Sequence, residues 1–132
     1  MRMIAALDDK DVEKLKDACH EEAGRRGREA TIAIVDPAGH PFYIERPVGN
    51  GPNTVEMAIA KARTAALRGR PSATLVARVK EHPGWLMAPN YLCIEGGAPV
   101  LVDGECLGGV GVSGIDVDDE PVALYGAKAL SA

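Results

Sequence analysis

IEGGAPVLVDGECLGGVGVSG, residues 94–114, reads as two strands joined by a two-residue turn at Asp103-Gly104. Asp-Gly suits the positive φ values of a tight hairpin turn, because glycine has no Cβ to clash. Gly96, Gly97, Gly108, Gly109, Gly111 and Gly114 crowd the same stretch. Bare strand backbone is costly unless another backbone, a helix or a ligand approaches closely. The segment is therefore expected to build a small-molecule pocket or a tight subunit contact.

Outward from this hairpin the chain carries both helical and strand patterns. Asp8 or Asp9 caps a first helix carrying Val12, Leu15, Ala18, Cys19 and Ala23 at helical spacing, ended by Gly24 or Gly27. Arg25, Arg26 and Arg28 then sit at its negative dipole end. ATIAIVD (30–36) is a β-branched strand, and Phe42 to Glu45 returns as its partner after the Pro37–His40 turn. PVGNGPN (47–53) is a loop, after which Thr54 is expected to cap a long alanine-rich helix stopped by Gly69 and Pro71. Ser72 starts a short helix halted before Pro83. HPGWLMAP (82–89) is an irregular connector with the only tryptophan, and strands are expected at Tyr91–Ile94, Pro99–Val102 and Cys106–Val112. A last helix runs from about Asp119 to Ala129, with Pro121 in its first turn. No βαβ alternation is present, so the expected fold is α+β: about five antiparallel strands with helices packed on them.

Bulk properties narrow the function. The 132 residues suffice for one domain, expected over 1–132, and the net charge of −4 disfavours nucleic acid as a partner. No run reaches the ~18–20 apolar residues of a membrane span, and the start MRMIAALDDKD lacks a signal-peptide pattern, so a cytoplasmic protein is expected. Cys19, Cys93 and Cys106 have neither disulfide-framework nor zinc-site spacing. The acidic run Asp116, Asp118, Asp119, Glu120 fails as a calcium loop: Pro121 stands where glycine belongs and Ala127 where the closing glutamate belongs. GGVGVSG lacks the Lys-Ser/Thr of a phosphate loop, and Ser113 is not in a GxSxG elbow. His20, His40 and His82 are too scattered for a metal triad, so no metal site is assigned; His82 stands out because it heads the connector.

Lys61 and Arg63 lie among small residues (AIAKARTAA, 58–66), where each could meet an acidic group or hold a carboxylate by charge-assisted hydrogen bonds. Glu56, two turns before Arg63, could serve as its partner or as a general base.

Three blocks together, IAIVDPAGH (32–40), AKARTAALRGRPSATL (60–75) and IEGGAPVLVDGECLGGVGVSG (94–114), give the chain a resemblance to the GlcG/HbpS-like family. That group includes the C-terminal domain of PduO-type corrinoid adenosyltransferases. The resemblance implies a profilin-like domain, homo-oligomers from dimers to octamers, and haem as the family-weighted ligand. Lys61, Arg63 and Thr64 match its helical block, and Gly96, Gly97, Pro99 and Ser113 its glycine block. The segment His82 to Leu92, with Trp85, Met87 and Tyr91, departs from the family pattern.

Two functions follow as expectations. The first is an oligomer-associated pocket for haem or a related tetrapyrrole, lined by Lys61, Arg63, Trp85, Met87, Gly96, Gly97 and Ser113, with Tyr91 in its apolar wall. The second is a cofactor-free lyase or isomerase of a small aromatic or organic acid, using Glu56, His82 or Tyr91 for proton transfer and Arg63 as anchor.

Overall fold

A computed structural model describes residues 1–131. The elements are α1 (Asp9–Arg25), β1 (Thr31–Val35), β2 (Pro41–Glu45), α2 (Asn53–Arg68), α3 (Ala73–Glu81), a 3-10 turn (Pro83–Met87), β3 (Gly97–Val102), β4 (Glu105–Ser113), a second 3-10 turn (Asp116–Asp118) and α4 (Asp119–Ala127). The class is α+β. The four strands form one antiparallel sheet in the order β2-β1-β4-β3.

Alternation along the strands gives the sheet two different faces. Ile32 and Ile34 of β1, Val110 and Val112 of β4, and Ala98 and Val100 of β3 face Leu15 and Cys19 of α1 and Val122 and Ala123 of α4. The opposite face carries Ala33 and Val35 against Ala58, Ala62 and Ala66 of α2. Register sets Ala33, Gly111 and Gly97 in one row beneath α2, and Val35, Gly109 and Pro99 in the next. A Cβ on Gly111 would overlap the Ala58 carbonyl oxygen, one on Gly109 the Ala62 carbonyl, and one on Gly97 the Lys61 carbonyl. The bare strand backbone expected to receive a guest or a second subunit is thus covered by α2 of the same chain.

Local signals hold in most elements. Asp8 accepts from the Asp11 amide and Asp11 from the Asp8 amide, both at 2.9 Å, a reciprocal cap worth about 1 kcal/mol. Asp103 (φ 51°) and Gly104 (φ 79°) form the turn between β3 and β4.

Two expectations need correction. Thr54 is no N-cap: α2 begins at Asn53, and the Thr54 hydroxyl donates to the Gly51 carbonyl (2.7 Å) while bonding Thr31 (2.9 Å). The fifth strand is absent as well. Asn90 has φ 68°, and the Leu92 amide donates to Oγ1 of Thr64 (2.8 Å) instead of joining a ladder, so residues 91–94 lie along α2.

Candidate functional site

The small residues of α2 that meet the sheet also fix where its cations go. Lys61 is 2% exposed; its ammonium donates to the Val112 carbonyl (3.0 Å) and to Oδ2 of Asp119 (3.0 Å). Asp119 also takes the Ile115 amide on Oδ1 (3.0 Å). A Cβ on Gly96 would crowd the Lys61 ammonium and the Val112 carbonyl, so Gly96 leaves the passage that Lys61 uses. Lys61, Gly96 and Gly97, three of the residues expected to line a pocket, are therefore packed together as one internal joint. Ser113 ends β4 beside it, buried and opposite Thr31.

Arg63 points elsewhere. At 3.6 residues per turn it lies about 160° around α2 from Lys61. Its side chain lies over Gly39 in the β1–β2 turn, where a Cβ would collide with Cγ. Glu56 is exposed in the first turn of α2 on the same side as Arg63. The two expected anchors, Lys61 and Arg63, do not share a site.

A different constellation forms where α2, α3 and the connector meet. Trp85 is half-buried, with the Arg68 guanidinium 5.8 Å and the Arg78 guanidinium 5.7 Å from its ring centroid. Tyr91 packs on the same indole at 6.0 Å between centroids, tilted by 57°. Arg68 also donates to Oγ1 of Thr74 (2.7 Å), and the Cys93 thiol faces the Trp85 carbonyl at 3.8 Å. Partial burial, then repulsion from Arg70 and Arg78, holds the Arg68 guanidinium below its ordinary range. Among the described residues, Arg68, Arg70 and Arg78 have no carboxylate within 4.0 Å, whereas Arg25, Arg26 and Arg28 are all paired with acids. Leu86 and Met87 extend the surface, 64% and 86% exposed, and His82 lies exposed at the end of α3.

Of the expected site residues, the connector gathers Trp85 and Tyr91, with Met87 and His82 beside them in sequence. Arg68 and Arg78 were not among the expected residues. A signal for them was present: from Met57 to Lys80 the chain carries Lys61, Arg63, Arg68, Arg70, Arg78 and Lys80 and no acid, although the protein is net −4.

Several hollows lie on other parts of the surface. One of about 510 Å³ lies along the junction of α1 and α4, beside Lys14, Asp17, Tyr125 and Lys128. Another of about 440 Å³ is bordered by His20 and Glu45, in contact at 2.7 Å. The acidic run borders a third, of about 340 Å³. In that run Asp118 pairs with Arg26 (2.9 Å) and Arg28 (3.2 Å), and Asp119 with Lys61. Burial, then the charge of Glu95, raises the Glu120 carboxyl above its usual range. No group of three or more metal-ligating side chains occurs among the described residues, and no helix there is long and apolar enough to cross a membrane.

Comparison with known proteins bears on this arrangement. The family described as "Haem degrading protein HbpS-like" matches residues 7–128. Protein GlcG of Escherichia coli strain K12 is 36% identical over 97 residues, 73% of this chain and 72% of GlcG. The crystal structure of a double mutant of Streptomyces reticuli HbpS superposes with a TM-score of 0.90 at 30% identity, covering 100% of this chain and 92% of that one. A crystal structure of a PduOC–heme complex superposes with a TM-score of 0.84 at 25% identity, covering 96% of each chain.

Proposed function

The chain belongs to the HbpS-like family, and from that premise we propose that it is a small-molecule binding protein whose ligand is haem or a related tetrapyrrole. The relative solved as a heme complex supports the ligand class. The observation that carries the reading to particular residues is the aromatic pair Trp85 and Tyr91, flanked by Arg68 and Arg78, neither of which has an acidic partner among the described residues. A tetrapyrrole is flat and apolar at its centre and bears carboxylates at one edge; the two guanidiniums carry the opposite charge, and the Trp85 ring offers apolar surface while Tyr91, tilted by 57°, buttresses it.

The residues present fit the group. Arg68 and Arg78 would hold its carboxylates, Trp85, Leu86 and Met87 its apolar face, and the His82 imidazole could approach the metal. When bound, haem supplies an iron centre capable of redox and oxygen chemistry. The protein's own residues bind, orient and shield. Leu86 and Met87 face outward, so a second copy of the chain closing over the platform would exclude water from the ligand.

Titration of the purified protein with haemin tests the proposal. A saturable Soret shift near one equivalent per chain is expected, weakened at least about tenfold in Trp85→Ala by loss of the aromatic contact. Absence of a saturable shift would remove haem.

A further inference from the structure

We propose that the hollow of about 440 Å³ beside His20 is a second binding site, for a small neutral molecule with a weakly acidic O–H on an apolar body, and that His20 accepts its proton. Trp85, Tyr91, Arg68 and Arg78 do not border this hollow, so it stands or falls apart from the tetrapyrrole reading.

The histidine is held as a proton acceptor has to be. The Tyr43 hydroxyl donates to Oε1 of Glu45 at 2.5 Å, and burial, then this bond, pushes the phenol up to about 12, so Tyr43 keeps its proton. The same carboxylate oxygen faces Nε2 of His20 at 2.7 Å. A carboxylate that accepts from the phenol has no hydrogen to give, so the hydrogen of this second bond belongs to Nε2. The neutral imidazole therefore carries its lone pair on Nδ1, which makes no hydrogen bond among the described residues. A base oriented by a carboxylate on its far nitrogen is the arrangement that proton transfer uses. The His20 side chain is 43% exposed at the edge of the hollow, within reach of a ligand there.

The walls select the ligand. Ala30, Pro47, Val48 and the bare backbone of Gly24 on α1 supply apolar surface. The loop after β2 is pinned in place, because the Asn50 amide group donates to the Glu29 carbonyl (3.1 Å) and to Oγ1 of Thr31 (3.0 Å). Arg28, the guanidinium on the border, is already paired with Asp118 at 3.2 Å, while Glu29 and Glu45 add negative charge. A ligand with a fixed negative charge finds no free counter-charge here, whereas a neutral acid acquires one by giving up its proton. In that step the ligand's O–H bond breaks, its electron pair stays on the oxygen, and an N–H bond forms at Nδ1. The resulting imidazolium lies between the new anion and Glu45.

The probe is 4-nitrophenol, whose ionised form absorbs in the visible, at a pH where the free phenol is mostly un-ionised. The wild-type protein is expected to give a saturable rise in the phenolate band. 4-Nitroanisole, which has no O–H, should compete at least about tenfold more weakly, the loss expected when a charged hydrogen bond is removed. His20→Gln should abolish the rise. Glu45→Gln should lower the ionised fraction of bound phenol by about tenfold or more, since the imidazolium loses an opposite charge beside it. Gly24→Leu, whose Cβ meets nothing within 4 Å beyond its own helix and chain neighbours, should block binding with circular dichroism unchanged. Trp85→Ala should bind the phenol as the wild type does. No saturable rise in the wild type, a rise that survives in His20→Gln, equal competition by the anisole, or a rise lost in Trp85→Ala would each overturn the proposal. A failed haemin titration leaves these outcomes untouched, so the two readings fail separately.

Discussion

The ammonium of Lys61 on α2 lies 3.0 Å from Oδ2 of Asp119 at the start of α4, and the two side chains are 3% and 12% exposed. Since α2 and α4 cover opposite faces of the sheet, this pair ties the two layers together around the end of β4. Removing one partner of a buried pair leaves the other charge uncompensated, at a cost of about 3–5 kcal/mol. Lys61→Met is therefore expected to lower the urea midpoint severely, and Lys61→Met/Asp119→Leu to recover a large part of the loss. A double variant no more stable than the single one would show that the ammonium's bond to Val112, and not the ion pair, holds the joint.

The glycine rows make a second prediction about the same helix. At Gly111 a methyl would strike the Ala58 carbonyl, and helix backbone cannot give way as a flexible side chain can. Gly111→Ala should cost about 1–3 kcal/mol or more by overpacking. Gly49→Ala, where nothing among the described residues beyond its chain neighbours lies within 4 Å of the added carbon, should change stability by less than about 0.5 kcal/mol. Equal midpoints for the two variants in chemical denaturation would contradict the close approach of α2.

Strand and turn positions were legible because their signals are local. The β-branched run of β1 and the Asp103-Gly104 turn each act within a few residues, and both form as read. Residues 91–94 carry a strand-like apolar pattern, but their partner is the hydroxyl of Thr64, which no local pattern announces. The glycines told correctly that something comes close; whether it was a ligand, a subunit or a helix depended on tertiary placement. Lys61 and Arg63 looked like one site because they are neighbours in sequence, yet helical geometry sends them to different sides. Arg68 and Arg78 come together only when α3 folds back over Gly69 and Pro71, so their meeting at Trp85 had no spacing to reveal it.

The thiols should separate by environment. Burial, then the nearby charge of Glu45, pushes Cys19 up from 9.0 to about 12, while Cys93 and Cys106 are only partly buried. With the folded value raised, the native state holds a proton that the unfolded chain releases. The associated stability is complete below pH 9 and is lost as pH rises toward 12, by up to about 1.4 kcal/mol per pH unit in between. The stability gap between wild type and Cys19→Ala should accordingly shrink above pH 9. A thiol reagent at pH 8 should label Cys93 and Cys106 and reach Cys19 only after unfolding. A gap that stays constant to pH 10.5, or fast native labelling of Cys19, would refute this.

Ligand binding should distinguish the arginines. Arg68 stands beside Trp85, the single tryptophan, whereas Arg63 lies over Gly39 on another side of α2. Arg68→Ala is expected to weaken haemin binding by about tenfold or more, the effect of one lost charge-assisted hydrogen bond, and to shift the Trp85 emission of the free protein. Arg63→Ala should leave both the emission and the affinity within about threefold of wild type, the scatter of distant surface changes. Its cost should appear in thermal unfolding instead, because the Arg63 side chain covers the β1–β2 turn. The reverse pattern, with affinity lost in Arg63→Ala and kept in Arg68→Ala, would move the carboxylate anchor to the hairpin side of α2 and away from the aromatic platform.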